Sequence, residues 1–142
     1  MVLLTGATGY IGSHTAVELL DAGEDAVIVD DLSNSEESVI DRIETITGKR
    51  PVFYRGDVAD KSLMNRVFQE NRIDAVMHFA GFKAVGESVE KPLAYYRNNI
   101  DTTLSLLETM AHFGCGRFIF SSSATVYGMS RDVPFRETAL LR

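Results

Sequence analysis

Three glycines near the N-terminus are placed where a loop can bind a diphosphate. Gly6, Gly9 and Gly12 recur at every third position directly after a short apolar run. The first glycine permits a tight turn, the second lets backbone approach a diphosphate, and the third allows close packing of a helix against a strand. A helix that starts there presents free N–H groups and the positive end of its dipole. The segment therefore predicts an anion-binding turn, with a plain strand-to-helix connection as the alternative.

Asp30 lies about twenty residues beyond this turn, at the end of the next apolar run. At that position a carboxylate can accept hydrogen bonds from the ribose hydroxyls of a dinucleotide. Residues 31–35 contain no Arg or Lys to meet a ribose phosphate, so the pattern favours NAD over NADP. No Gly-Lys-Ser or Gly-Lys-Thr triplet follows the turn, which excludes a P-loop. Together the turn and Asp30 predict an NAD site.

Asp57 follows the third apolar run, within the sequence Arg-Gly-Asp-Val. At the rim of a sheet its carboxylate could accept a hydrogen bond from the amino group of adenine. An aspartate in such a place is also a common helix cap or turn residue. The position at the rim favours the cofactor role.

Alternating strand and helix patterns indicate how these residues are brought together. Apolar runs of strand length alternate with segments of helical period, which is typical of a parallel sheet with crossover helices. The expected fold is α/β, a doubly wound parallel sheet of Rossmann type in the order 3-2-1-4-5, with the carboxyl ends of the strands along one ligand-binding rim. The predicted strands are Val2–Leu4, Ala26–Val29, Val52–Tyr54, Ala75–Phe79 and Phe118–Phe120. The predicted helices are Tyr10–Ala22, Glu36–Thr47, Lys61–Asn71 and Leu93–Phe113.

The first predicted helix has an amphipathic pattern. Its period places Ile11, Ala16, Leu19 and Leu20 toward the sheet. Gly23 follows as the expected C-terminal stop, because glycine readily adopts the left-handed conformation that ends many helices.

Composition narrows the class of protein and its partners. The 142 residues are 45% hydrophobic and 24% charged, which fits one globular domain over residues 1–142. The net charge of -6, with acids and bases interspersed, argues against nucleic-acid binding. The single cysteine, Cys115, cannot form an internal disulfide. Because neither a signal-peptide pattern nor a membrane-length apolar stretch occurs, we expect a cytoplasmic protein without membrane contact; no metal site is predicted.

The segment from His78 to Ser88, HFAGFKAVGES, resembles the UDP-glucose 4-epimerases of the extended short-chain dehydrogenase/reductase family. The resemblance continues through 91–93, 95–99 and the FSSSATVYG segment at 120–128 and, with Gly6–His14, covers essentially the whole chain. It implies the N-terminal, NAD-binding part of an enzyme that interconverts UDP-galactose and UDP-glucose by transient oxidation at sugar C4. Other members of the extended family share the glycine turn and the serine-rich strand exit, so a sugar-nucleotide dehydratase is an alternative.

The resemblance also implies which residues bind NAD. The backbone N–H groups of Tyr10 and Ile11 would bind the diphosphate and Asp30 the adenosine ribose. Lys83 would be a cationic partner, with a solvated surface lysine as the alternative. Asn98 would contact the cofactor at the start of the fourth predicted helix, where a capping or turn asparagine is the alternative. The complete predicted set is Gly6, Gly9, Tyr10, Ile11, Gly12, Asp30, Asp31, Asn34, Ser35, Asp57, Val58, Phe79, Ala80, Gly81, Lys83 and Asn98.

Ser123 matches the family serine that hydrogen-bonds the sugar hydroxyl undergoing oxidation. A hydroxyl can both donate and accept a hydrogen bond, as this catalytic role requires. The competing interpretation is a polar strand exit, in which serines satisfy free backbone groups. Thr125 and Lys83 are predicted as further contacts to the UDP-sugar substrate.

The sequence departs from the family pattern at three points. Thr102 stands where the family usually has glycine, so looser helix packing is expected there, and Asp31 replaces a common asparagine. The family's catalytic Tyr-x-x-x-Lys pair does not occur within the 142 residues. We therefore expect this chain alone to bind NAD without turning over substrate. A freestanding NAD-binding or regulatory protein is the alternative.

The fourth predicted helix and the fifth strand are expected to expose surfaces that need a partner. In full-length relatives the corresponding helix helps to build a helix-bundle dimer interface. We therefore expect dimerisation or swapping of the C-terminal tail, and the resemblance favours a homodimer through Leu93–Phe113.

Overall fold

Five parallel strands form one sheet in the order β3-β2-β1-β4-β5. The computed structural model describes residues 1–128 and 134–141; residues 129–133 and 142 of the predicted domain lie outside the described residues. The strands are β1 Val2–Thr5, β2 Ala26–Asp30, β3 Val52–Arg55, β4 Ala75–His78 and β5 Phe118–Phe120. The helices are α1 Tyr10–Asp21, α2 Ser38–Thr47, α3 Lys61–Glu70, α4 Val85–Glu90 and α5 Pro92–Phe113, and a 3₁₀ turn spans Ala124–Tyr127.

The predicted fold class and strand order are confirmed, and the predicted strand and helix ends agree with the structure to within two residues, which is normal for fraying ends. Helix α4 was not predicted from the sequence. This helix is short and has no buried residue, so it leaves no apolar period to detect. None of the helices within the described residues is both long and apolar enough to cross a membrane.

Side chains of successive strand residues point to opposite faces of the sheet and build two cores. On one face, Leu3 and Val27 pack with α3 and α5 residues such as Leu106. On the other face, Leu4 and Ile28 pack with residues of α1 and α2. Each strand buried on both sides reads as a continuous apolar run, as parallel strands covered by helices must. The two layers of helices leave the carboxyl ends of the strands uncovered.

One residue of α1 lies differently from its prediction. Ala16 and Leu20 are buried as expected, whereas Ile11 is 48% exposed. The first turn of α1 lies at the rim of the sheet, where its outer residues border a cleft instead of packing on a strand. The predicted stop is confirmed, because Gly23 has φ +90° and donates its N–H to Leu20 O at 3.2 Å.

Replacing Gly6 with alanine should strongly destabilise the fold. Gly6 has φ +67°, and a Cβ there would lie 2.6 Å from both Cα and N of Ala80. Gly23 also has positive φ, but a Cβ there would meet nothing within 4 Å. We expect Gly6→Ala to lower the free energy of unfolding by about 3 kcal/mol and Gly23→Ala by about 1 kcal/mol, measured by urea denaturation. Equal losses in the two variants would contradict the close approach of Gly6 to Ala80.

Candidate functional site

A cleft of about 380 Å³ opens at the carboxyl ends of β1 to β4. Its volume falls within the range usual for small-molecule sites. Every residue in the predicted cofactor-binding set lines this one cleft. The structure adds further lining residues that the sequence analysis did not select: Val29, Ser33, Gly56, Phe82, Ala84 and Thr102.

The glycine turn presents unpaired backbone donors to the cleft. Gly6 N–H donates to Val29 O at 2.9 Å, which ties the turn to β2. Helix α1 then begins at Tyr10 with no side-chain cap on its N-cap residue, Gly9. Among the described residues, no acceptor is bonded to the N–H groups of Tyr10, Ile11 or Gly12. These first-turn donors and the helix dipole make the turn suited to an anion.

Gly9 keeps the mouth of this turn free of side-chain atoms. A Cβ on Gly9 would lie 3.2 Å from Gly6 O, tighter than an ordinary contact. A Cβ on Gly12 would lie 2.5 Å from Ala7 Cα, so the helix packs against the turn at a distance that only glycine permits. Each of the three glycines is therefore required for a different steric reason, as their spacing predicts.

Asp30 is buried at the end of β2 and organises the loop that follows it. Its Oδ2 accepts the N–H of Thr8 at 3.0 Å, and its Oδ1 accepts the N–H of Leu32 at 3.0 Å and the hydroxyl of Ser35 at 3.4 Å. The Ser35 and Thr8 hydroxyls are 2.6 Å apart. A carboxylate has about four acceptor sites, so Asp30 retains capacity for a ligand hydroxyl after these bonds.

Leu32 adopts φ +62°, a left-handed conformation that is unfavourable for a branched side chain. The bond from its N–H to Asp30 helps to hold this turn. The turn places Ser33, Asn34 and Ser35 along the cleft. Asp30 is thus both a structural acceptor for its own loop and a buried carboxylate that lines the cleft.

Asp57 is a turn residue that also borders the cleft. Its Oδ1 accepts the N–H of Ala59 at 2.8 Å. The cap of α3 is Asp60, whose Oδ1 accepts the N–H groups of Ser62 and Leu63. Asp57 is therefore a turn residue and not the cap of α3, and its contact with adenine stays a prediction.

Asn98 lies in the second turn of α5 and not at its start, since α5 begins at Pro92. It is neither a cap nor a turn residue: its Nδ2 donates to Asn99 Oδ1 at 3.0 Å. Thr102, expected to loosen the packing, is only 4% exposed, and its hydroxyl donates to Asn98 O at 2.6 Å. The hydroxyl is thus satisfied within the helix.

The loop after β4 forms the far wall of the cleft and is held to α5. Asn99 Oδ1 accepts the N–H of Phe82 at 2.8 Å, and Asn99 Nδ2 donates to Phe82 O at 3.0 Å. Gly81 passes close to the same amide, because a Cβ there would lie 3.3 Å from Asn99 Oδ1. This pair of bonds fixes the backbone that carries Phe79, Ala80 and Lys83.

Charge is distributed unevenly across the cleft. The loops after β2 and β3 contribute three lining carboxylates, on Asp30, Asp31 and Asp57, whereas the loop after β4 contributes the ammonium of Lys83. Lys83 is exposed, as its alternative interpretation also predicts. Within the described residues, no group of three His, Cys, Asp or Glu side chains is placed to hold a metal ion.

Ser123 and Thr125 do not line this cleft. They follow β5, and their hydroxyl oxygens are 2.9 Å apart. Ser123 Oγ also accepts the N–H of Thr125 at 3.2 Å and so caps the 3₁₀ turn. These bonds are those of the competing strand-exit interpretation. The substrate roles of the two hydroxyls stay predictions.

Residues 3–142 match the protein family described as GDP-mannose 4,6 dehydratase. The chain belongs to this family. Within known proteins it is 55% identical to a UDP-glucose 4-epimerase of Erwinia amylovora over 137 residues, which cover 96% of this chain and 41% of that protein. It is 51% identical to UDP-glucose 4-epimerase 2 of Arabidopsis thaliana, again over 96% of this chain and 40% of that protein.

Solved structures give the same resemblance. A UDP-glucose 4-epimerase from Bifidobacterium longum, in complex with NAD⁺ and UDP, superimposes with a TM-score of 0.96 at 51% identity and covers 99% of this chain. The chain covers 42% of that structure. The predicted resemblance to the N-terminal part of UDP-glucose 4-epimerases is thereby confirmed. The chain spans about 40% of the length of the epimerases it matches.

His78 is the first residue of the 78–88 segment that resembles the epimerases, and no role was predicted for it from the sequence. It is 1% exposed, at the end of β4. Its Nδ1 is 2.6 Å from Thr5 Oγ1, and its Nε2 is 3.1 Å from Thr103 Oγ1. Burial lowers the pKa of His78 to about 4, because the charged imidazolium would lose its hydration. The sequence feature that could have indicated this buried histidine is a polar residue at the end of an apolar strand.

Stability should fall below neutral pH because of His78. Its pKa is about 4 in the folded protein and 6.5 ordinarily, so the unfolded chain binds the extra proton between these values. Lowering the pH from 7 to 5 should therefore cost about 2 kcal/mol of stability through this residue. His78→Gln, which cannot titrate, should lose about that much less over the same range, as measured by urea denaturation at both pH values. If wild type and variant lose equal stability, the depressed pKa is wrong.

Proposed function

We propose that this chain is the NAD-binding part of a UDP-glucose 4-epimerase, an isomerase that interconverts UDP-galactose and UDP-glucose by transient oxidation at C4. The observation that carries the proposal is the cleft with free helix N-terminal amides, in a chain 55% identical to an epimerase of this type. NAD is present in structural neighbours that are themselves UDP-glucose 4-epimerases.

The strand order supports the orientation of a dinucleotide across the rim. Moving along the sheet from β3 to β4, the cleft is bordered by Asp57, Asp30, the glycine turn and Lys83 in that order. The two carboxylates can accept hydrogen bonds from uncharged hydroxyl and amino groups, and the free amides of the turn can donate to a diphosphate. The adenosine half therefore lies over β2 and β3, with the nicotinamide half toward β4 and β5.

The residues of this chain bind the cofactor and orient it. Tyr10 and Ile11 donate backbone N–H groups to the diphosphate, and Asp30 accepts from the adenosine ribose. Asn34 and Ser35 support that ribose and its phosphate, and Asp57 and Val58 border the adenine. The wall formed by Phe79, Ala80 and Gly81 closes the opposite side, with Lys83 as a cation for ligand oxygens. NAD supplies the hydride acceptor and donor when bound.

The substrate side of the reaction involves the segment after β5. Ser123 orients the sugar hydroxyl through a hydrogen bond, and Thr125 adds a second hydroxyl contact. Their mutual bond at 2.9 Å keeps the two hydroxyls together on an exposed segment. Lys83, on the wall nearest β5, is the cationic group for substrate oxygens.

Asp30→Ala should weaken NAD binding and remove the preference for NAD. The carboxylate accepts ribose hydroxyls and repels the additional phosphate of NADP. We expect wild type to bind NAD at least about tenfold more tightly than NADP, and Asp30→Ala to lose about tenfold in NAD affinity. Isothermal titration calorimetry measures both, with Asp21→Ala, an exposed change at the end of α1, as the matched control. Equal wild-type affinity for the two cofactors would contradict the ribose assignment.

The family description favours a second candidate, a sugar-nucleotide dehydratase. A chimera that continues this chain with the remainder of the Erwinia amylovora protein tests whether this chain supports epimerisation. We expect UDP-galactose to yield UDP-glucose without net NAD reduction, and Ser123→Ala to lower kcat by about 100-fold because the sugar hydroxyl loses its partner. Ser38→Ala on α2 is the control. A dehydrated product, or an unaffected Ser123→Ala variant, would contradict the epimerase assignment; the 142-residue chain alone should convert no substrate.

An exposed apolar stripe on α5 supports a homodimer. Its members recur three or four residues apart and are 39% to 78% exposed: Leu93, Tyr96, Ile100, Leu104 and Leu107. A second copy of the same helix offers a matching stripe, which fits an isologous contact.

Leu104→Arg should shift the dimer toward monomer. Burying an unpaired guanidinium in an apolar contact should raise the dimer dissociation constant by about 30-fold or more. Sedimentation velocity over a concentration series measures the shift. Ile46→Arg, at an exposed apolar position on α2, should leave the constant unchanged. Dimerisation that survives Leu104→Arg would exclude this face.

A further inference from the structure

His78 lies where three strands of the sheet end beside the cleft. Thr5, its partner at Nδ1, is the residue immediately before the glycine turn. Backbone hydrogen bonds also join these strand ends. Phe79 N–H donates to Thr5 O at 2.9 Å, between β4 and β1, and Ser121 N–H donates to His78 O at 3.1 Å, between β5 and β4. The imidazole ring lies beside Phe118 and Phe120 of β5, with centroids 6.1 and 5.8 Å away.

The hydrogen bonds around His78 allow one arrangement of protons. Thr103 Oγ1 donates to Asn99 O at 2.8 Å, because a carbonyl can only accept. Thr103 therefore accepts from His78, so Nε2 carries the proton. A neutral imidazole then has a bare Nδ1, to which the Thr5 hydroxyl donates. Every polar atom of this buried group is satisfied, which gives the network a defined geometry.

The network continues from α5 to the wall of the cleft. Thr103 bonds to the backbone of Asn99, and the side chain of Asn99 holds both backbone polar groups of Phe82. A continuous path of hydrogen bonds therefore joins the end of β1, through the His78 ring, to the loop that carries Gly81 and Lys83. A histidine bonded at both nitrogens adds directional contacts to the apolar packing of α5 on the sheet.

We propose that His78 is a positioning residue for the nucleotide-binding cleft: by bridging Thr5 and Thr103, it holds α5 and the Phe79–Ala84 loop in register with the glycine turn. This assignment of a positioning role rests on the proposed dinucleotide-binding function. His78 itself does not line the cleft, so it acts through Thr103 and Asn99 without touching the ligand.

The test breaks the bridge at Thr103 and compares it with a matched change on the same helix. Thr103→Val removes the acceptor for His78 Nε2 while keeping the side-chain shape. Thr109→Val removes a hydroxyl on the same helix that is buried, whereas Thr103 is half-buried, and that bonds only to its own helix, at Ser105 O. We expect Thr103→Val to weaken NAD binding by about tenfold and Thr109→Val to leave it unchanged, measured by calorimetry.

Amide hydrogen exchange supplies a reading that needs no ligand. In Thr103→Val and in His78→Leu, the Phe82 N–H should exchange about tenfold faster relative to the β2 amides, because its bond to Asn99 opens more often. His78→Gln, which can still donate to Thr103, should restore slow exchange. Nitrogen NMR of His78 at neutral pH should show a protonated Nε2 and a bare Nδ1.

The outcomes separate the two proposals. If the wild-type chain fails to bind NAD, the proposed function fails, while Phe82 exchange still decides the positioning role. If Thr103→Val matches Thr109→Val in Phe82 exchange, the positioning role of His78 is overturned, whatever the affinity for NAD. The positioning role is also overturned if the Phe82 N–H exchanges as fast in His78→Gln as in His78→Leu.

Discussion

The close approach of two backbones at Gly6 is the constraint on which the cleft depends. A side chain at this position would collide with Cα and N of Ala80, so the loop after β1 and the loop after β4 lie against each other with no atoms between them. The left-handed φ of Gly6 turns the chain into α1 at the same point. One glycine therefore sets both the direction of the helix whose amides face the cleft and the position of its far wall.

The polar chemistry of the site follows from where the strands end. Parallel strands bring their carboxyl ends to one rim, and the order of the sheet decides which loops are neighbours. Carboxylates come from β2 and β3, free amides from α1, and a lysine from the loop after β4. A ligand that lies across the rim meets first acceptors, then donors, then a cation. This gradient suits a molecule with hydroxyls at one end and a diphosphate at its centre.

Helix α5 connects the two sides of this arrangement from beneath. Ser105 donates to Ala59 O at 3.2 Å, in the loop that carries Asp57, while Asn99 holds Phe82 in the opposite wall. Between them, Thr103 bonds to His78 and so to the strand before the glycine turn. The same helix presents an exposed apolar stripe on its outer side. Two stripe members, Ile100 and Leu107, are three and four residues from Thr103 and so lie next to it on the same helix.

The sequence by itself determined the α/β alternation, the strand order and most of the residues that line the cleft, because apolar period, glycine spacing and the 78–88 segment are local features. It missed α4, which buries nothing, and misjudged Ile11 and Asn98, whose surroundings depend on where helices start relative to the rim. Only the tertiary structure decided that His78 bridges Thr5 and Thr103, or that Asn99 holds Phe82. Those partners are 73, 25 and 17 residues apart in the chain, and no local pattern encodes a hydrogen bond formed by the packing of distant elements.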